Sequence, residues 1–160
     1  MAAPTPTART TPSGVIIPEG FKCLITFARL PAASFWEKAV TPASIDGGEK
    51  IDITTMHNNR TRVFAPRTLY TPGEATVKCG FDAKFKDQAR RTLINAEDTI
   101  TETFPDGSTY CYYGYLQKAE LGEMSVDGGF PEATLTIVQT NYDPVNRVEA
   151  EAVLTEVVGT

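Results

Sequence analysis

Few side chains in this sequence are placed to do covalent chemistry. His57 is the single histidine, so any Ser–His or Cys–His pair would have to use it. It stands beside Asn58 and Asn59 with no nucleophile motif near it. Cys23, Cys79 and Cys111 are widely spaced and odd in number, a poor framework for disulfides or for zinc, which wants several His or Cys ligands. Cys79 and Cys111 lie in strand-like runs and read as buried thiols. Glu149 and Glu151 share one strand face at about 7 Å. Paired carboxylates can cleave glycosides, but they normally flank a cleft, so a solvated or interface face is the expectation. Tyr110, Tyr112, Tyr113 and Tyr115 offer a stacking surface for a sugar, yet fit core packing along a central strand better. Gly47-Gly48 and Gly128-Gly129 lack the Lys-Ser/Thr partner and helix start of a phosphate loop. The expectation is a protein without catalytic residue, metal ligand or cofactor.

The elements that carry these residues are mostly strands. Phe21, Cys23, Ile25 and Phe27 alternate with Lys22, Leu24 and Thr26, a period of two. Ala75, Val77, Cys79 and Phe81 alternate with Glu74, Thr76, Lys78 and Gly80, as in a strand with one face on a core. A helix is predicted over about 83–95. Asp82 can cap it, Phe85, Ala89 and Leu93 recur every four residues, and Asn95 can stop it. A hairpin follows, with Asp98–Phe104 outbound, Pro105-Asp106-Gly107-Ser108 as the turn and Thr109–Leu121 as a central return strand. Ala133, Leu135 and Ile137 mark a further strand. A last one is expected where Val148, Ala150, Ala152 and Leu154 alternate with Glu149, Glu151 and Thr155. Many short strands, Gly-rich turns and one helix predict a mainly β fold: a β-sandwich or barrel of two packed antiparallel sheets with one flanking α-helix.

Bulk properties narrow the function. A chain of 160 residues, 41% hydrophobic and 22% charged, makes one domain with a real core. A net charge of -5 disfavours a dedicated nucleic-acid binder, which needs excess Lys and Arg. No apolar run approaches the roughly 20 residues that span a bilayer, and the first residues lack the apolar segment of a secretory signal. Assembly in a cytosol without membrane insertion is expected. Residues 1–19, rich in Pro, Thr and Ala, read as an extended N-terminal arm, and 20–160 as a single β domain.

Residues 53–73 do not fit a compact domain. They hold Arg60, Arg62 and Arg67 with no acid, and keep Met56, Val63, Phe64, Leu69 and Tyr70. Disordered linkers tend to lack such apolar residues, and long connections in a compact domain are usually functional or disordered. The segment reads as a projecting loop or ribbon that docks on something, with Met56, His57, Asn58, Arg60, Arg62, Phe64 and Arg67 as contacts. The C-terminal region is acidic, with Glu149, Glu151 and Glu156 as a candidate partner face. A basic protrusion and an acidic far region on one subunit suit a head-to-tail contact, which generates rings or filaments.

Two runs resemble the start of the major tail tube proteins of siphophages: Phe35-Trp36-Glu37-Lys38-Ala39-Val40-Thr41-Pro42 and Ile45-Asp46-Gly47-Gly48-Glu49-Lys50-Ile51-Asp52-Ile53-Thr54-Thr55-Met56. The strand to Phe81-Asp82, the helix, Ile100 to Thr109 and the Ala133 to Ile137 strand follow in the same order. That family is similar in fold to contractile-tail and type VI secretion tube subunits, and gene transfer agents use related subunits. The resemblance implies hexameric rings stacked into a tail tube, with a long loop reaching the adjacent ring. It implies tail terminator, tail-tip and tape-measure proteins as partners, and a virion tail as the location. DNA would pass through without specific binding, and an acidic lumen wall would keep that passage non-adhesive. Asp52, Glu102, Glu120 and Glu123 are the candidate lumen acids. A tail terminator, which makes one ring and stops, and a monomeric β-sandwich that binds carbohydrate remain the alternatives.

Overall fold

The computed structural model describes residues 8–10, 16–18, 23–31, 36–80, 87, 89–127, 129 and 131–156. The predicted roles of Phe21, Phe81, Asp82 and Phe85 fall outside these residues, as does most of the arm. Within the arm, β1 (Ala8–Thr10) and β2 (Ile16–Pro18) pair antiparallel with each other.

The body is one antiparallel sheet of seven strands. They are β3 (Leu24–Phe27), β4 (Glu37–Thr41), β9 (Glu74–Gly80), β10 (Asp98–Thr103), β11 (Thr109–Leu121), β12 (Glu132–Gln139) and β15 (Val153–Thr155). Their order is β3-β10-β11-β12-β9-β4, with β15 also paired to β11. The thirteen residues of β11 serve two halves. Residues Thr109–Gly114 pair with β10, and Gly114–Leu121 pair with β12. A bulge between Leu116 and Lys118 breaks the register there; a bulge bends its strand and raises the local twist. The sheet therefore curls until its two end strands meet, where the Ile25 amide donates to Glu37 Oε1 at 3.4 Å. The two layers of the sandwich are halves of a single curled sheet.

The inner face forms the core. Ile25, Phe27, Val77, Cys79, Ile100, Leu116, Leu135 and Ile137 are all buried, each side chain contributing on the order of 1.5–3 kcal/mol by leaving water. The predicted alternations in β9 and β12 appear as burial patterns of period two. Burial also pushes the Cys79 thiol up to about 11, which leaves it unreactive. Cys111 departs from its expectation: it is half-buried because it faces outward from β11 beside Thr101. The outward face of the sheet is rich in threonine, with Thr26 opposite Thr101 and Thr76 opposite Thr136.

The described part of the helix is Asp87 and a π-helical turn, Ala89–Leu93. Arg91 Nε donates to Asp87 Oδ1 at 2.9 Å, and Leu93 enters the core. Asn95 takes φ 55°, a left-handed residue that ends the helical run, and its amide donates to Leu116 O at 3.0 Å. The β10–β11 turn uses Gly107 at φ 88°, with the Ser108 amide held by Asp106 Oδ1 at 2.8 Å.

The predicted last strand is divided. β13 (Tyr142–Asp143) and β14 (Val148–Glu149) form a small hairpin, and only β15 joins the main sheet. Asp143 Oδ1 accepts from the Val145 amide at 2.8 Å and the Asn146 amide at 3.1 Å, and Arg147 takes φ 57°, so a tight turn reverses the chain. Val148, Val153 and Leu154 stay exposed. The alternation that includes Val148 and Leu154 did not mark core burial.

A β-carbon on Gly114 would lie 2.4 Å from the Val138 carbonyl oxygen, while one on Gly47 would meet nothing within 4 Å. Gly114→Ala is expected to push β11 off β12 and destabilise the protein by about 1–3 kcal/mol. Gly47→Ala is expected to stay within about 0.5 kcal/mol of wild type. Denaturant midpoints of the two variants check this.

Candidate assembly surface

Between β4 and β9 the chain leaves the body as a two-stranded ribbon. β5 (Ile45–Asp46) pairs with β8 (Thr71–Pro72), and β6 (Ile51–Asp52) pairs with β7 (Phe64–Ala65). The segment expected as a loop over 53–73 is thus the tip and return strand of a longer hairpin. Its outgoing strand begins at the root, where the Gly73 amide donates to Ser44 O at 2.7 Å. Short polar side chains set its bends: Asp46 Oδ1 accepts from the Gly48 amide, and Asp52 Oδ1 from the Thr54 amide. The Ile53 amide donates to Val63 O, while the Val63 amide donates to Thr54 Oγ1. At the tip, Asn58 Oδ1 accepts from the Thr55 amide at 2.9 Å.

The ribbon exposes what a monomer would normally bury. Met56 is fully exposed at the tip, Leu69 is 84% exposed near the root with Ile45 and Tyr70 also exposed there, and Ile51, Ile53, Val63 and Phe64 are exposed between root and tip. A lone hairpin is marginally stable in water, and contiguous exposed apolar surface of this kind marks an interaction site. Its charge is less one-sided than residues 53–73 alone suggest, because the outgoing strand adds acids. Arg62 pairs with Asp52 at 3.7 Å, Arg67 Nε donates to Glu49 O, and Lys50 sits 3.9 Å above the Phe64 ring. Met56, His57, Asn58 and Arg60 lie at the exposed tip, and Arg62, Phe64 and Arg67 on the return strand.

The four candidate lumen acids do not come together. Asp52 is on the ribbon facing Arg62. Glu120 is exposed on β11 beside Lys118 at 2.5 Å, and Glu123 is exposed just beyond that strand. Glu102 is a correction: it is 0% exposed. The period of two in β10 places it with Asp98 and Ile100 on the inner face, so it lines no lumen. There Glu102 Oε1 accepts from the Tyr112 hydroxyl at 2.8 Å, while Oε2 has no partner within hydrogen-bond geometry among the described residues. Desolvation holds its pKa above the usual carboxylate range, opposed by the Tyr112 hydroxyl and the Ala43 amide. Glu37, across the seam, is also raised by desolvation.

Glu149 and Glu151 meet the root of the ribbon. The Tyr70 hydroxyl donates to Glu151 Oε1 at 3.1 Å, and that bond raises the Tyr70 pKa. Both carboxylates line a groove of about 420 Å³ between the ribbon root and the β13–β14 hairpin, with Leu69, Tyr70, Asn141 and Tyr142. A second hollow of about 310 Å³ shares Tyr70, Asn141 and Glu151 and runs on toward Tyr110 and Leu154. Glu156 is exposed beyond β15 and does not line either hollow. The groove residues Tyr70, Asn141 and Tyr142 carried no sequence signal as a site, since their pairing is non-local. Among the described residues, no group of three or more His, Cys, Asp or Glu could hold a metal ion, and no helix is long and apolar enough to cross a membrane.

No family model matches the sequence, and no curated protein matches it. Solved structures do. A chain of the virion of a native gene transfer agent particle aligns with TM-score 0.60 at 15% identity, over 86% of this chain and 98% of that one. A chain of the sheath–tube complex of an extracellular contractile injection system, PVC, in its extended state aligns with TM-score 0.58 at 11% identity, over 84% and 88%. A chain of the anti-feeding prophage baseplate aligns with TM-score 0.57 at 11% identity, over 85% and 92%. The chain shares the fold of these particle chains. The resemblance read from the order of elements holds at the level of fold, and the structures that share it are parts of multisubunit particles.

Because the pKa of Glu102 is raised in the folded state, the native protein binds protons that the unfolded chain has released. The stabilisation is complete below the unfolded pKa of about 4.3 and is lost as pH rises through the folded value. Asp52, Asp143 and Glu132 are shifted down and act the opposite way, losing stability as pH falls through their folded values. Glu102→Gln is expected to lose less stability than wild type between pH 5 and pH 7.5, measured by urea midpoints. A wild-type profile that rises over that range, unchanged in the variant, would contradict it.

Proposed function

We propose that this chain is a non-enzymatic structural subunit that self-assembles into stacked hexameric rings, forming the tail tube of a phage or phage-derived particle. The observation that carries this reading is the ribbon. The subunit displays a hairpin of exposed Ile, Met, Phe, Leu and Tyr side chains that the described residues leave uncovered. A contact between unlike surfaces that does not close on itself polymerises, and burying this ribbon against a second ring supplies the driving force.

In this reading the tube conducts DNA without binding it, and net charge -5 per subunit keeps the wall non-adhesive. Asp52, Glu120 and Glu123 remain the proposed lumen acids. Strand edges that have no partner strand among the described residues pair with neighbouring subunits on assembly. Partners are further copies of this chain together with tail terminator, tail-tip and tape-measure proteins. The location is the virion tail, assembled in the host cytoplasm. No cofactor takes part.

Negative-stain electron microscopy of the concentrated protein tests this. Wild type is expected to form hollow tubes of constant diameter, and Arg60→Glu/Arg62→Glu to form few or none. Isolated rings that never stack would point to a tail terminator. Persistent monomers, even with a tail-tip seed, would reverse the reading in favour of a binding module.

A further inference from the structure

The groove at the ribbon root has two walls of different origin. Leu69 and Tyr70 come from the returning strand of the ribbon; Asn141, Tyr142, Glu149 and Glu151 come from the segment around the β13–β14 hairpin. In the isolated chain one polar contact across this cleft is the Tyr70–Glu151 hydrogen bond. Two carboxylates beside apolar and aromatic surface call for an occupant that is both cationic and apolar. The far end of the ribbon has that character: exposed Arg60 lies at the tip with fully exposed Met56, and Arg62 follows on the return strand, where its exposed pair with Asp52 is weak enough to be exchanged.

We infer that the groove of one copy receives the ribbon tip of a second copy, Arg60 and Arg62 meeting Glu149 and Glu151. The inference rests on the tube reading and deepens it by naming the acceptor. The tip lies at the far end of the ribbon from its own groove. About a dozen residues separate Ser44 at the root from the tip, a reach of at most roughly 40 Å at the rise of a strand and less with the bends at Gly48 and Thr54. Donor and acceptor therefore sit at opposite ends of one element, which makes the contact open-ended.

The position of the groove adds a relay. An occupant touching both walls ties the ribbon root to the hairpin and so fixes the angle at which that ribbon projects. Docking one tip thereby aims the next, and each addition lowers the ordering cost of the one that follows. Growth by such a relay is nucleated.

Two charge reversals test this: Arg60→Glu/Arg62→Glu at the tip and Glu149→Arg/Glu151→Arg in the groove. Each alone is expected to raise the concentration needed for assembly by at least about tenfold, because like charges then face each other. An equimolar mixture is expected to assemble again, since each tip finds an oppositely charged groove on the other variant. All four substitutions in one chain are expected to do the same. Circular dichroism confirms that each variant is folded, and the four-substitution chain keeps the test decisive if one of the pair is not. Light scattering of the mixture is expected to show a lag that sheared fragments remove. A groove variant that assembles like wild type, or a mixture and four-substitution chain that both stay dispersed while wild type assembles, overturns the acceptor. Growth without a lag overturns the relay. Wild type that never assembles overturns the tube reading itself.

Discussion

The architecture depends on one strand, Thr109–Leu121, having to pair on different terms along its length. Its first half lies between β10 and β15, and its second half is paired with β12. The bulge near Gln117 bends the strand just past the point where the partner changes. Gly114 stands where the two halves meet and lets the Val138 carbonyl approach to a distance no side chain would permit. Curling then follows, because a sheet bent at its centre brings its end strands toward each other. The core is what that curl encloses.

Closing the seam between β3 and β4 falls to side chains, since these strands are not paired. Glu37 accepts the Ile25 amide there, and Glu102 sits behind it with Tyr112 and near the Ala43 amide. Buried carboxyls are costly unless satisfied, and Glu102 keeps one oxygen without a hydrogen-bond partner among the described residues. Ala43 is also the last residue before the ribbon root. The polar cluster that closes the body is therefore adjacent to the element that leaves it, which links the packing of the core to the setting of the ribbon.

The ribbon and the body obey opposite rules. In the body, alternation sorts apolar residues inward and threonines outward. In the ribbon, both strands remain in solvent and the apolar residues have no inside to face. The same departure occurs at β15, where Val153 and Leu154 are both exposed while the strand is paired to the sheet. Surfaces of this kind are stable in water only at a cost that a partner removes, and their concentration on the ribbon and C-terminal strand sets the two regions apart from the body.

Periodicity was enough to determine the class of the fold and most of its core. Ala75, Val77 and Cys79, then Ala133, Leu135 and Ile137, are buried as their spacing requires, and Gly107 turns the hairpin with the positive φ its place demanded. Composition marked residues 53–73 as anomalous, because Met, Phe and Leu do not belong in a solvated linker. What alternation cannot say is which neighbour a face meets. Glu102 read as a lumen acid from its charge, yet the period of two in β10 puts it on the Ile100 face, and there it meets Tyr112. The stretch from Val148 to Leu154 read as one strand, yet Val148–Glu149 turns back on Tyr142–Asp143 while Val153–Thr155 pairs with β11. Glu149 and Glu151 were legible as acids, but not as one wall of a groove whose other wall, Leu69 and Tyr70, lies some eighty residues earlier in the chain. Local pattern is set by neighbours a few residues away, and so the sequence carries it openly. Pairing across that distance is decided by how the curled sheet closes, and only the tertiary structure contains it.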